Sequence, residues 1–296
     1  MREIARGAEM RDVIYVALAV LIVAIVMLSG CTGVLGPEET EKFNREVPAK
    51  PGGDLAVVNR NGGVDMGIWE EDYVAVTAVK RTFYGRAELE KARIEVTEND
   101  PILIWTVYTG MNARVSVDYT VQIPADVVLR GIDTSNGQIR LQGVQVAGTE
   151  IHTSNGPVIV DGAPGGDLTA VTSNGWINLS GVEGYVTAKT SNDGIMVERS
   201  GGVGDLQASN GPISAEISAI RGDVTISTSN GEITLRIAKD LNARVIATTS
   251  NGRIAIRDLP LRVSESTETS VLGSLGAGGP TITIVTSNGD INLAGL

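Results

Sequence analysis

Apolar and polar residues alternate along most of this chain, and a short polar corner resets the alternation at near-regular intervals. After each corner come two apolar residues spaced by two: Ile139/Leu141, Val158/Val160, Ile177/Leu179, Ile195/Val197, Ile213/Ala215, Ile233/Leu235, Ile254/Ile256 and Ile291/Leu293. Before each corner, the positions Ile132, Ile151, Ala170, Ala188, Leu206, Ile226, Ala247 and Ile284 repeat the same parity. A period of two is that of a strand with one buried face, so each unit reads as strand, turn, strand, turn.

The corner is Ser-Asn-Gly, at Asn136, Asn155, Asn174, Asn210, Asn230, Asn251 and Asn288, with Asp193 replacing the glycine after Asn192. Starting from Asn136, the asparagines are 19, 19, 18, 18, 20, 21 and 37 residues apart, and a fixed period near twenty marks a stacked-coil protein. Asn61-Gly62 fits the template 75 residues upstream, close to four periods, and the final step is close to two, which implies coils that have lost their asparagine. Strand parity places the Thr two before each Asn, and the Asn itself, inward, with the intervening Ser outward. Glycine supplies the positive φ of a tight corner, which Asp193 also tolerates. Stacked asparagines at these eight structural turns are expected to bond in a ladder. The 227 residues from Asn61 to Asn288 then predict about 12 coils, a rod near 57 Å long.

Four segments follow. Residues 1–31 carry Arg2, Arg6 and Arg11, then an uncharged apolar run at 13–28 ending in Leu28-Ser29-Gly30-Cys31. That ending resembles the lipobox of prokaryotic lipoproteins, which implies lipidation at Cys31; the other reading is an uncleaved N-terminal helix. Both put the rest of the chain outside the cytoplasmic membrane, N-terminally anchored. Residues 32–51, with Pro37, Pro48, Pro51 and an acidic run, read as a flexible tether. Residues 52–130 form an irregular β section and cap, with a coil from Leu55 to Met66, strands at 73–79, 93–97, 102–107 and 114–123, and a short helix near 86–92. Residues 131–296 are the solenoid, interrupted at 258–280 by what reads as a long loop. The fold class is all-β, a parallel β-solenoid with coils of about 19 residues.

This order of features looks like the putative adhesin domain of unknown function found in prokaryotic envelope proteins. The resemblance rests on an isolated Asn-Gly coil, a β section ending Tyr119-Thr-Val-Gln-Ile-Pro124, Ser-Asn-Gly coils, the Gly-rich segment 272–280 and a closing Thr286-Ser-Asn-Gly-Asp-Ile-Asn-Leu293, over roughly residues 50–296. It implies a β-helix and carries adhesion as a label, with no catalytic residue to transfer.

Candidate chemistry is sparse. Cys31 is the single cysteine and His152 the single histidine, so no Cys-based metal site or disulfide framework forms. No cofactor or metal is implied. A net charge of −11 argues against nucleic acid or anionic headgroups as the main partner. One outward feature stands out: Ile159, Trp176 and Met196 fall on consecutive coils where other coils carry polar residues, as a contact strip would. The alternative is that the N-terminal section or the 258–280 segment covers it. Two functional classes follow. One is a non-enzymatic envelope module binding a glycan or surface protein; the other is a carbohydrate-active β-helix enzyme, which needs converging carboxylates.

Overall fold

The computed structural model describes residues 36–110 and 112–296. The apolar run at 13–28 and Cys31 lie outside the described residues. The N-terminal section holds β1 (Glu39–Pro48), β2 (Asp54–Val58), β3 (Val64–Trp69), β4 (Tyr73–Thr82), β5 (Ala92–Val96), β6 (Ile102–Tyr108) and β7 (Ser116–Pro124). A 3-10 turn at Arg86–Lys91 stands where the short helix was expected, and its Leu89 is buried.

The repeats supply β8 (Val128–Asn136), β9 (Ile139–Gln142), β10 (Gln145–Asn155), β11 (Val158–Ala163), β12 (Leu168–Val171) and β13 (Ile177–Val182). They continue with β14 (Tyr185–Asn192), β15 (Ile195–Glu198), β16 (Gly202–Asn210), β17 (Ile213–Ile217), β18 (Val224–Asn230) and β19 (Ile233–Ile237). The C-terminal part adds β20 (Ala243–Asn251), β21 (Ile254–Arg257), β22 (Arg262–Ser266), β23 (Ser270–Leu275), β24 (Thr281–Asn288) and β25 (Ile291–Gly295).

Each repeat contributes one strand to each of two facing sheets, of 12 and 13 strands. Pairing between successive repeats is parallel and in register, as in Val158↔Ile177 and Ile177↔Ile195. The alternating Ile, Leu and Val point between the sheets as one continuous core, including Ile132, Leu141, Ile151, Leu179 and Ile226. Burying such a row, at about 25 cal/mol per Å² of apolar surface, is what holds the sheets together. Each rung alone exposes that face; stacking hides it.

The long gaps in the asparagine spacing hold fewer coils than their lengths imply: the first contains one coil without an asparagine, formed by β6 and β7, and the second contains none. Asn61 bridges Asn136 directly, and β3 pairs with β9, so after β3 the chain leaves this part of the stack and returns to it at β8. The intervening residues build the N-terminal cap: β6 and β7 add a rung without an asparagine, then β5 and β4 continue their sheets antiparallel. At the other end, β24 and β25 insert between two rungs that precede them in sequence. β24 pairs with β18 on one side and β20 on the other, and β25 with β19 and β21. Eleven spacings in the 12-stranded sheet still give a stack of about 53 Å, made from nine asparagine rungs plus caps rather than twelve coils.

Two further expectations change. The segment read as a tether contains β1, which pairs with β4 at all ten positions from Glu39↔Thr82 to Pro48↔Tyr73. It lacks apolar periodicity because it is an edge strand with one buried side chain, Val47, and cross-strand polar contacts such as Lys80 Nζ to Glu41 Oε1 at 2.8 Å. The interruption at 258–280 is no loop either. Strands β22 and β23 form an antiparallel hairpin, and β23 extends the sheet from β20, burying Val271 and Leu275.

Candidate functional site

Two surface features repeat or stand out along the stack: the asparagine corner and a groove at Trp176. At the corner, Thr134, Thr153, Thr172, Thr190, Thr228, Thr249 and Thr286 point inward and are buried. Each hydroxyl donates to the glycine carbonyl of the neighbouring rung, for example Thr172 Oγ1 to Gly156 O at 3.0 Å and Thr228 Oγ1 to Gly211 O at 2.9 Å.

The asparagines themselves face outward, correcting the expected inward parity: strand alternation ends where the chain turns, and the residues at 136, 155, 174, 192, 210, 230, 251 and 288 are exposed. They form an unbroken ladder at the corner. Each Nδ2 donates to the neighbouring Oδ1, from Asn136 to Asn61 at 2.7 Å, through Asn155 to Asn136 at 2.7 Å and Asn174 to Asn155 at 2.8 Å. The row runs on through Asn192, Asn210 and Asn230. There Asn288 donates to Asn230 at 2.8 Å and Asn251 to Asn288 at 2.9 Å, following the spatial order rather than the sequence order.

Glycine follows the asparagine mainly because of close approach. A Cβ on Gly156 would sit 2.2 Å from the carbonyl oxygen of Gly137, and one on Gly175 2.1 Å from that of Gly156. Positive φ is needed at some corners, such as Gly62 at 116°, but Asp193 is not among the described non-glycine residues in the left-handed region, which are Asn112, Arg199 and Asp258. Its carboxylate instead accepts the Gly194 amide at 2.8 Å.

The groove lies on the outward face of the 12-stranded sheet. It is lined by Trp176, Asn178, Gly194, Met196, Pro212 and Ser214. Trp176 is 40% exposed and Met196 43% exposed, so neither the N-terminal section nor the 258–280 hairpin covers them. Parallel register fixes the arrangement: Ile177↔Ile195 places Trp176 beside Gly194, and Asn178, Met196 and Ser214 form the adjoining row. Gly194 has no side chain, which opens the space between Trp176 and Pro212.

Ile159 does not join this lining. It is half-buried, next to Asn178 in the same row, so the apolar strip expected over Ile159, Trp176 and Met196 is displaced one rung toward the C-terminus. Pro212 is the residue that sequence reasoning passed over; it occupies the same position after its asparagine as Pro157 and Trp176. Beyond it the face turns polar, where Glu232 accepts from Thr234 at 2.9 Å and Asn292 at 2.7 Å. An aromatic face, a thioether and a proline ring beside an amide and a hydroxyl suit a ligand with one apolar face and polar edges.

Several acid and base groups elsewhere are paired with each other. Asp167 accepts the Tyr185 amide and pairs with Arg221, whose guanidinium lies 3.8 Å over the Tyr185 ring. That amide hydrogen bond, reinforced by Arg221, holds the Asp167 carboxyl below the usual carboxylate range. The Lys91 ammonium does the same to Glu88, helped by the Arg114 amide. A general acid needs the opposite shift. His152 is on the surface, 3.2 Å from Asp133. No group of three or more His, Cys, Asp or Glu with metal-binding geometry occurs among the described residues.

Comparison with known proteins finds a family match that spans both the cap and the repeats. The family described as Toastrack DUF4097 matches residues 55–294. No curated protein matches the chain. Among solved structures, a putative adhesin from Bacteroides fragilis is 12% identical, covering 86% of this chain and 97% of that one, with a TM-score of 0.46. A putative adhesin from Parabacteroides merdae is 10% identical over 86% of this chain and 96% of that one, TM-score 0.42. A putative cell adhesion protein from Clostridium sporogenes is 12% identical over 87% and 100%, TM-score 0.26.

Proposed function

The chain belongs to the Toastrack DUF4097 family, and we propose that it is a non-catalytic binding module of the cell envelope, presented outside the cytoplasmic membrane on an N-terminal anchor. One observation carries this reading. On a sheet face whose outward rows are otherwise mostly polar, Trp176, Met196 and Pro212 surround an open groove. Exposed aromatic side chains set in an apolar depression with a polar rim are where binding free energy concentrates. The anchor reading is supported by the apolar run at 13–28, preceded by Arg2, Arg6 and Arg11, and by the lipobox-like ending at Cys31. The ligand class that fits is an envelope glycan or an apolar side chain of a surface protein.

The test is a binding screen of the full chain against glycans, envelope polymers and surface proteins, with product analysis for cleavage. Trp176→Ala is expected to weaken the ligand found by about 2 kcal/mol or more. Because the side chain is exposed, its effect on melting should be small, within about 1 kcal/mol. Unchanged affinity in the Trp176→Ala variant would remove the groove from the function, and cleaved product would replace binding with catalysis.

A further inference from the structure

We infer that the turn carrying Phe83 and Tyr84, with Arg114 beside it, rests on the phospholipid bilayer and sets the solenoid's orientation; this deepens the anchored reading above and depends on it. The described chain begins beside this turn. The Gly36 amide donates to the Phe83 carbonyl at 3.0 Å, and Glu39 pairs with Thr82, so the incoming segment is fastened to this turn. Cys31 is five residues before Gly36, a reach of at most about 18 Å fully extended. A chain anchored at Cys31 therefore has no choice but to hold this corner near the membrane.

The corner also has the chemistry for that place. Phe83 is 45% exposed and Tyr84 49% exposed, two adjacent aromatic side chains projecting at a turn closed by Gly85 at φ 87°. The Arg114 guanidinium lies 4.3 Å over the Tyr84 ring, and Arg86 is exposed next to it. Aromatic rings settle at the depth of lipid headgroups, and a guanidinium held beside them meets the phosphates. At the far end, the edge strand β22 exposes Arg262, Val263, Ser264, Glu265 and Ser266, with no aromatic residue. Strand β13, which carries the groove residue Asn178, is five strands from β4, so the groove stands about 24 Å from this corner along the stack.

The chain has two phenylalanines, Phe43 and Phe83, which gives a direct readout. Full chain labelled with fluorophenylalanine is reconstituted into phosphatidylcholine vesicles containing a nitroxide lipid, with Phe43→Leu to assign the two fluorine signals. Phe83 is expected to relax roughly fivefold more than Phe43, which is half-buried in mid-strand, if the turn enters the interface by the several ångströms typical of such contacts. Chain that floats with the vesicles but shows equal relaxation at both sites keeps its anchor and overturns the contact. Chain that fails to float overturns the anchor and the contact together.

Discussion

The solenoid repeats and the N-terminal cap solve the same corner problem by different means. In the repeats, a buried Thr hydroxyl reaches the next glycine carbonyl, a glycine allows the rungs to close up, and an outward Asn extends the ladder. In the cap rung, Asn59 takes the Thr position and does several jobs at once. Its Nδ2 donates to Val117 O at 2.8 Å, Gly62 O at 3.1 Å and Asn61 O at 3.3 Å, while its Oδ1 accepts from Thr106 Oγ1 at 3.1 Å. Thr106 in turn meets the Tyr119 hydroxyl at 2.6 Å. An array can use small identical residues because each rung presents the next with the same partner. Where the array stops, one larger amide and two tyrosines must satisfy groups that have no copy to pair with.

The largest effect should separate the regions by sterics. Gly156→Ala puts a Cβ 2.2 Å from the Gly137 carbonyl and must spread two rungs, so it should cost about 3–5 kcal/mol in urea unfolding. Gly85→Ala in the cap has left-handed φ but nothing within 4 Å, and should cost about 1–2 kcal/mol. Equal losses would show that the rungs yield more easily than their spacing implies.

A smaller effect compares the polar hubs. Asn59→Ala leaves the Gly62 and Val117 carbonyls and the Thr106 hydroxyl short of partners in a buried site, and should cost about 2–4 kcal/mol. Thr172→Val loses one hydrogen bond from one of seven equivalent threonines and should cost about 1 kcal/mol by the same measurement. If the two match, the cap network is no more than another rung.

The smallest effect is confined to alkaline pH. Desolvation pushes the hydroxyls of Tyr119 and Tyr108 up to about 12 from an ordinary value of 10.0. The folded cap thus favours the protonated phenols, and the unfolded chain releases those protons first. Their contribution is fully present below about pH 10 and is lost as pH rises from there through about 12. The urea midpoint should fall over that window, and Tyr119→Phe should flatten the fall; an unaltered slope would place the alkaline loss elsewhere.

Much of the fold was legible because period-two alternation and steps of 18 to 21 residues leave few alternatives to stacked strands. Trp176 and Met196 were legible for the same reason: once the inward parity is known, outward apolar residues are conspicuous. Spacing along the chain does not say whether intervening residues stack or loop out, so the gaps of 75 and 37 residues implied more coils than the single asparagine-free one that β6 and β7 form. Parity also fails at a corner, which is why the asparagines were turned inward. Strand β1 was hidden by its polarity, since its partners lie on a strand 25 to 43 positions away and not in its own pattern.

The displaced order of the C-terminal rungs bears on how the molecule assembles. Strands β20 and β21 arrive first in synthesis but occupy the outer place, leaving a slot one strand wide beside β18 and β19 that the final rung fills. Residues 281–295 act as a keystone: until they seat, both flanking rungs present open edges, and no order of addition that simply follows the chain can close the stack. Completion therefore waits for a long-range contact that is costly in loop entropy. Once made, it clasps the end of the solenoid from both sides, so this end cannot fray one rung at a time from its last-synthesised strand.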